Sequence, residues 1–158
     1  MKYRILSANE HDGNYVLTAF LQGSAPTGAE RFSTNAYAII PTIAGGIGWG
    51  SFNIQTTLSE SFPTSRVSKI GDVTIWNLAV QSHVGEVFWP EVETNYTYFP
   101  NGPHVGKSQL SITPNLIVGT IPIYKRLGLN VGLGYQRTVS PRVLSFDRNW
   151  ILSVRLNF

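Results

Sequence analysis

The strongest constraint in this sequence is an alternation of apolar and polar residues with a period of two. The last segment shows it most clearly, because every second residue from Trp150 to Phe158 is apolar and most residues between them are polar. Successive side chains of a β-strand point to opposite faces, whereas a helix would mix the two sets on every turn. The pattern predicts a strand whose apolar face consists of Trp150, Leu152, Val154, Leu156 and Phe158.

Earlier parts of the chain alternate in the same way and predict further strands. They lie at about 2–8, 14–23, 36–44, 51–58, 76–81, 88–98, 109–118 and 127–136, the first two with the least regular pattern. Together with the last segment they predict a single all-β domain over 1–158, an antiparallel up-and-down transmembrane β-barrel of about eight to ten strands. Such a barrel can be complete or part of a larger one.

Turn-forming residues separate these segments. They occur at His11–Asn14, Gly45–Gly46, Pro100–Pro103 and Ser140–Pro141, and each pair or group favours a reversal of the chain. The gaps at about 24–35, 62–71, 99–108 and 138–148 are longer than the others. We therefore expect a meander with short turns along one rim and long loops along the other.

The scarcity of charge decides which solvent the apolar face meets. Lys, Arg, Asp and Glu make up 13% of the chain, about half their share in an average soluble domain. None occurs between Arg31 and Glu60, yet Pro41 and several glycines and amides in this stretch argue against a membrane helix. The face opposite the apolar one is mainly Gly, Ser, Thr, Asn and Gln, which suits an enclosed interior better than a surface in water.

Strand length and aromatic placement favour the same reading. Strands of about ten residues match the 9–11 that cross a bilayer at a tilt. Aromatic residues fall near strand ends, at Trp150 and Phe158 and at Tyr96, Tyr98 and Phe99, as in interfacial aromatic belts. We expect a membrane barrel with lipid as its partner, and a soluble all-β binding module is the weaker alternative.

Several function classes lack support in the sequence. The chain has no cysteine and a net charge of +3 without a dense basic run, so disulfide scaffolds, thiolate metal sites and nucleic-acid binding are not expected. The three histidines, His11, His83 and His104, lack the spacing of a zinc-protease motif, and no nucleophile elbow is present. We expect no enzyme activity, no metal and no cofactor.

The candidate functional residues are polar groups of the predicted inner face. Glu91 and Glu93 share one face of a strand, and their mutual repulsion favours a cationic neighbour such as Arg155. They would form either a structural network that fills a narrow barrel or a polar track that selects solutes. The full set is Glu91, Glu93, Asn95, Asn115, Gln136 and Arg155.

Two kinds of motif carry a family resemblance. The segment Trp150–Phe158 resembles the C-terminal assembly signal of bacterial outer-membrane β-barrels, which implies recognition by the barrel-assembly machinery. The stretches Pro90–Tyr96 and Leu110–Leu116 resemble the outer-membrane family known as MetA-pathway of phenol degradation, described as transporter-like. That family has an E-x-N strand, then a strand similar to L-x-x-T-P-G-L, then a Gly-rich strand, and Asn115 replaces its motif glycine here.

The resemblance covers roughly residues 36–158 and implies a channel or transporter for small, hydrophobic or aromatic molecules in the bacterial outer membrane. A closed structural or adhesion barrel with binding loops is the alternative. The first ten residues lack the apolar core of a secretory signal. We therefore expect a fragment, a start inside a larger barrel, or a mature chain with an added Met.

Overall fold

The computed structural model describes residues 1–28, 35–124, 127–144 and 147–157. Nine strands form one sheet in this part of the chain. They are β1 (Lys2–Ala8), β2 (Tyr15–Ser24), β3 (Ala38–Trp49), β4 (Phe52–Pro63), β5 (Val73–Ser82), β6 (Phe88–Tyr98), β7 (Ser108–Tyr124), β8 (Leu127–Thr138) and β9 (Arg148–Asn157). A four-residue helix, α1 (Val67–Ile70), and two 3₁₀ turns, Glu10–Asp12 and Gly102–His104, lie between strands. No helix in these ranges is long and apolar enough to cross a membrane.

Each strand pairs in antiparallel fashion with its neighbours in sequence, in the spatial order β1 to β9. The prediction of an all-β, antiparallel, up-and-down fold is confirmed. The turn expected at Gly45–Gly46 is wrong, because both glycines lie inside β3 and pair with β2 and β4. The reversal instead occurs at Gly50, whose φ of 54° favours glycine.

The two rims of the sheet differ, as expected. One rim carries the connections at 9–14, 50–51 and 83–87, and we call it the short-turn rim. The other carries the longer connections that follow β2, β4, β6 and β8, and we call it the long-loop rim. Positive φ angles at Gly13 (114°) and Asn14 (46°) reverse the chain between β1 and β2, in line with the turn predicted there.

Burial of the two faces is inverted relative to an ordinary soluble protein. Apart from Pro63 and glycines, the buried residues in the described ranges include only two hydrophobic ones, Ala36 and Phe99. Large hydrophobic side chains are exposed along the opposite face, for example Leu152 at 69% and Trp150 at 73%. We call the polar, more buried face the inner face and the apolar one the outer face. Seven buried residues are polar: Thr18, Thr42, Thr97, Gln109, Ser111, Thr113 and Thr138.

The sheet curls but does not close. Strands β4 to β8 all contribute residues to one cavity of about 360 Å³ on the inner face, which requires curvature. Strands β1 and β9 do not pair with each other and form the two edges. A β-bulge between Arg4 and Leu6 interrupts the register of β1, whereas β9 pairs with β8 without a break from Arg148 to Asn157.

Candidate functional site on the inner face

Four of the predicted site residues lie together on β6 and β7. Glu91 and Asn115 are register partners, and Asn115 Nδ2 donates a hydrogen bond to Glu91 Oε1 over 3.1 Å. Glu93 follows on the same face and lies opposite Thr113. Asn95 comes next and lies opposite Ser111. The alternation of β6 thus places two carboxyl groups and an amide in one line on the inner face.

Asn95 begins a chain of polar contacts that crosses neighbouring strands. Its Nδ2 donates to Asn77 Oδ1 over 2.5 Å, and Asn77 Nδ2 donates to Thr57 Oγ1 over 3.1 Å. The Thr97 hydroxyl donates to Asn95 Oδ1 over 3.2 Å. Because each amide both donates and accepts, the side chains fix one another's orientation across β4, β5 and β6.

A second amide group lies closer to the short-turn rim. Asn53 Nδ2 donates to Gln81 Oε1, and Gln55 Nε2 donates to Asn53 Oδ1, both over 3.2 Å. Gln81 is in turn the register partner of Glu91. The inner face therefore carries amides on both sides of the carboxyl groups, and these can exchange hydrogen bonds with a polar solute.

Gln136 and Arg155 lie elsewhere on the inner face. Gln136 Oε1 accepts a 3.3 Å hydrogen bond from Asn149 Nδ2, and Gln136 lines the same 360 Å³ cavity as Glu93 and Asn95. Arg155 is exposed on the edge strand β9, where it pairs with Asn130. It lies three strands from Glu91, so the structure does not bring Arg155 to the glutamates as a counter-ion. In the described ranges the only ion pair is Arg148 with Asp147.

The most buried side chains on this face were not among the predicted site residues. Gln109 is 2% exposed, and its Oε1 accepts the backbone N–H groups of Val143 and Leu144, each over 2.8 Å. Its Nε2 donates to Thr138 Oγ1 over 3.3 Å, and Ser111 Oγ lies 3.3 Å from the same oxygen. Residues 143–144, which follow β8, are thereby held against Gln109 on the inner face. A glutamine on the polar side of an alternating strand gives no sequence indication of this burial.

Glycines of β8 make room for these polar side chains. A Cβ on Gly132 would lie 2.5 Å from Ser153 Oγ, and one on Gly134 would lie 3.1 Å from Thr113 Cγ2 and 3.3 Å from Asn115 Oδ1. Both glycines are buried. These glycines of β8 thus allow close approach of β7 and β9 side chains to its inner face.

An aromatic pair on the same face also escaped prediction. The His83 ring stacks on Trp89 with centroids 4.0 Å apart and planes 10° apart, and Trp89 Nε1 donates to the Gly119 carbonyl over 3.3 Å. Trp89 has the inner-face parity of Glu91, a position that strict alternation would have indicated.

The residues of the predicted assembly signal lie on the outer face of β9. Leu152, Val154 and Leu156 pair with Leu133, Val131 and Leu129 of β8. Trp150 pairs with Tyr135, and their ring centroids are 5.0 Å apart. Phe158 lies outside the described residues. Phe99, which the sequence predicts in an aromatic belt, is instead only 4% exposed and its ring contacts that of His104. Its odd number gives it the parity of the inner-face residues of β6.

Two loops of the long-loop rim contact each other. The connection after β4 meets the connection after β6, where Gly102 and Gly71 come so close that a Cβ on Gly102 would lie 2.5 Å from Gly71 Cα. Asp72 and Asn101 bridge the same two loops through hydrogen bonds of 2.6 Å. These contacts give the two loops one shared conformation.

The chemistry available on the inner face is hydrogen bonding and charge. No group of three or more His, Cys, Asp or Glu residues that could hold a metal ion occurs in the described part of the chain. Comparison of the chain with protein-family models, with curated proteins and with solved structures returns no match.

Proposed function

We propose that this chain forms the wall of a bacterial outer-membrane β-barrel that serves as a channel or transporter-like protein for small molecules. The observation that carries the proposal is the inverted burial of the sheet. Seven polar residues are buried on the inner face, while leucines, isoleucines and tryptophans are exposed on the outer face. Exposure of the outer face to water would be unfavourable, because soluble monomers rarely expose apolar patches above a few hundred Å².

The outer face has the profile of a lipid contact. Apolar pairs of β8 and β9 occupy its middle, and aromatic residues lie towards both rims. At the short-turn rim these include Tyr15, Trp49, Phe52 and Phe88, and at the long-loop rim Phe62, Trp76, Tyr96, Tyr98, Tyr135 and Trp150. Rings at both levels match the two headgroup regions of a bilayer.

The cavities and polar groups of the inner face are the observations that favour passage of small solutes. Two cavities of about 640 Å³ and about 360 Å³ lie along it, the first lined by β1 to β4 and the second by β4 to β8. Amides and hydroxyls line much of both walls, Lys2 and Arg4 add positive charge to the first cavity, and Glu93 adds a carboxyl group to the second. The family resemblance favours aromatic or hydrophobic solutes, whereas these polar walls favour solutes that also form hydrogen bonds.

Detergent dependence tests the membrane part of the proposal. The refolded chain should need detergent, resist protease when inserted into phosphatidylcholine vesicles, and migrate differently on a denaturing gel before and after boiling. A chain that stays monomeric in buffer without detergent would instead be a soluble binding module.

Conductance in planar bilayers tests the channel part. We expect discrete current steps from the inserted protein. The second candidate, a closed structural or adhesion barrel, is favoured by the braced loops at Asp72 and Asn101, which form a fixed surface on the long-loop rim. An inserted protein that shows no steps at any voltage would support that candidate.

A further inference from the structure

Two arginines face each other on the outer face at the long-loop rim. Arg137 of β8 and Arg148 of β9 are register partners, and both side chains are exposed. Directly opposed residues of antiparallel strands have Cβ atoms about 4.5–5.5 Å apart, where like charges destabilise the pair. This pair of arginines therefore weakens the sheet unless an anion lies between the two guanidinium groups.

Within the described ranges the charge of the two arginines is only partly balanced. Arg148 Nε lies 3.6 Å from Asp147 Oδ2, but the two side chains are 70% and 46% exposed, so water screens this contact. On its other side Arg137 faces Ile112 of β7, an apolar neighbour. Most of the ten N–H donors of the two guanidinium groups remain available.

The residues next to the arginines have an ordered polarity along β8 and β9. The adjacent outer-face pair is Tyr135 with Trp150, and after it come three successive apolar pairs: Leu133 with Leu152, Val131 with Val154, and Leu129 with Leu156. Charge, aromatic ring and aliphatic side chain thus follow one another from the long-loop rim inwards. A lipid molecule has the matching order of phosphate, glycerol region and acyl chain.

We propose that Arg137 and Arg148 bind the phosphate of an anionic lipid headgroup at the long-loop rim, with the acyl chains lying along the apolar pairs below. The inference rests on the proposed membrane function. Guanidinium groups match phosphate oxygens in bidentate geometry, which favours phosphate as the ligand. The continuous apolar surface below the arginines favours a lipid over free phosphate.

Lipid retention in native mass spectrometry tests this site. The full chain in zwitterionic detergent receives an equimolar mixture of phosphatidic acid and phosphatidylcholine with identical acyl chains. We expect the wild type to retain phosphatidic acid about tenfold over phosphatidylcholine, from two arginines near the lipid surface. The variant R137Q/R148Q should lose that preference. The matched control K69Q/K107Q removes the same charge from exposed loops of the same rim and should keep it.

Three further readouts separate the outcomes. Equal retention by wild type and R137Q/R148Q in a chain that inserts into phosphatidylcholine vesicles would overturn this inference alone, whereas failure to insert would overturn the proposed function as well. Full displacement of phosphatidic acid by millimolar inorganic phosphate would assign the site to free phosphate. The unfolding temperature of R137Q/R148Q without anionic lipid should equal or exceed that of the wild type, and a lower value would mean that the arginines are bonded within the chain.

Discussion

Asp72 and Asn101 hold two long loops together through a reciprocal contact. Asn101 Oδ1 accepts the backbone N–H of Asp72 over 2.6 Å, and Asn101 Nδ2 donates to Asp72 Oδ2 over 2.6 Å. The residues are 29 positions apart, so the contact links the loop between β4 and β5 to the loop between β6 and β7. It makes the loop surface a single unit.

Replacement of Asn101 by Ala should loosen both loops. The change leaves a carboxylate and a backbone N–H without their partner, at a cost of about 1–3 kcal/mol. Limited proteolysis should then cut within 64–72 and 99–107 faster than in the wild type. Val105→Ala, an exposed change in the same loop, serves as the control, and equal cleavage of the two variants would contradict the brace.

Replacement of Gln109 by Leu should destabilise the sheet. The backbone N–H groups of Val143 and Leu144 lose their acceptor, and we expect the free energy of unfolding in detergent to fall by about 2–3 kcal/mol. Gln136→Leu, which removes one longer 3.3 Å contact, should cost less than about 1 kcal/mol. Urea titration followed by tryptophan fluorescence measures the free energy of unfolding of both variants. Equal losses would contradict the larger contribution expected from the Gln109 hydrogen bonds.

Gly132→Ala should destabilise the sheet because the new Cβ would meet Ser153 Oγ at 2.5 Å. Crowding of this kind costs about 1–3 kcal/mol. The control Gly23→Ala has open space around its Cβ and should be neutral or slightly stabilising. The double variant Gly132→Ala/Ser153→Ala should recover part of the loss, and the absence of any recovery would point to another cause.

Substitutions at two adjacent residues of β9 test whether lipid or water covers the outer face. Leu152 lies on the outer face and Ile151 on the inner face, and both are apolar and exposed. In vesicles Leu152→Lys should lower the free energy of unfolding by about 2–4 kcal/mol, the range for lysine at the bilayer midplane. Ile151→Lys should cost much less. The reverse order, or no difference, would be expected if water covered the outer face.

Charge on the inner face should set the ion preference of the channel. The double variant Glu91→Gln/Glu93→Gln removes both carboxyl groups and keeps their shape, so the ratio of cation to anion permeability should fall, while Lys2 and Arg4 stay on the inner face. Reversal potentials under a salt gradient measure it. Glu60→Gln is the control, because Glu60 lies on the outer face beside Thr74, and an equal effect of both changes would exclude the inner-face charges as its cause.

Local alternation predicts the strands and their faces well where it is regular. It placed β8 and β9 within two residues of their ends and put Trp150 and Leu152 on one face. It fails at β3, where Gly45 and Gly46 predict a turn but pair with both neighbouring strands in extended backbone. Glycine favours turns only when no ladder of backbone hydrogen bonds competes.

Relations between distant residues were the part that the sequence did not reveal. Periodicity placed Arg155 on the inner face with Glu91, but strand order and register separate them by three strands. Gln109 acquires its role from a loop 34 positions away. Faces follow from a period of two within one strand, whereas neighbours depend on how all nine strands pair.

The bulge in β1 makes the two edges of the sheet chemically unequal. β1 spans seven residues, is interrupted between Arg4 and Leu6, and carries Lys2 and Arg4. Shortness, bulges and inward charges are the features by which edge strands resist further pairing. β9 spans ten residues in unbroken register, so its free side offers a straight row of backbone donors and acceptors. We therefore expect a further strand to pair with β9 rather than with β1.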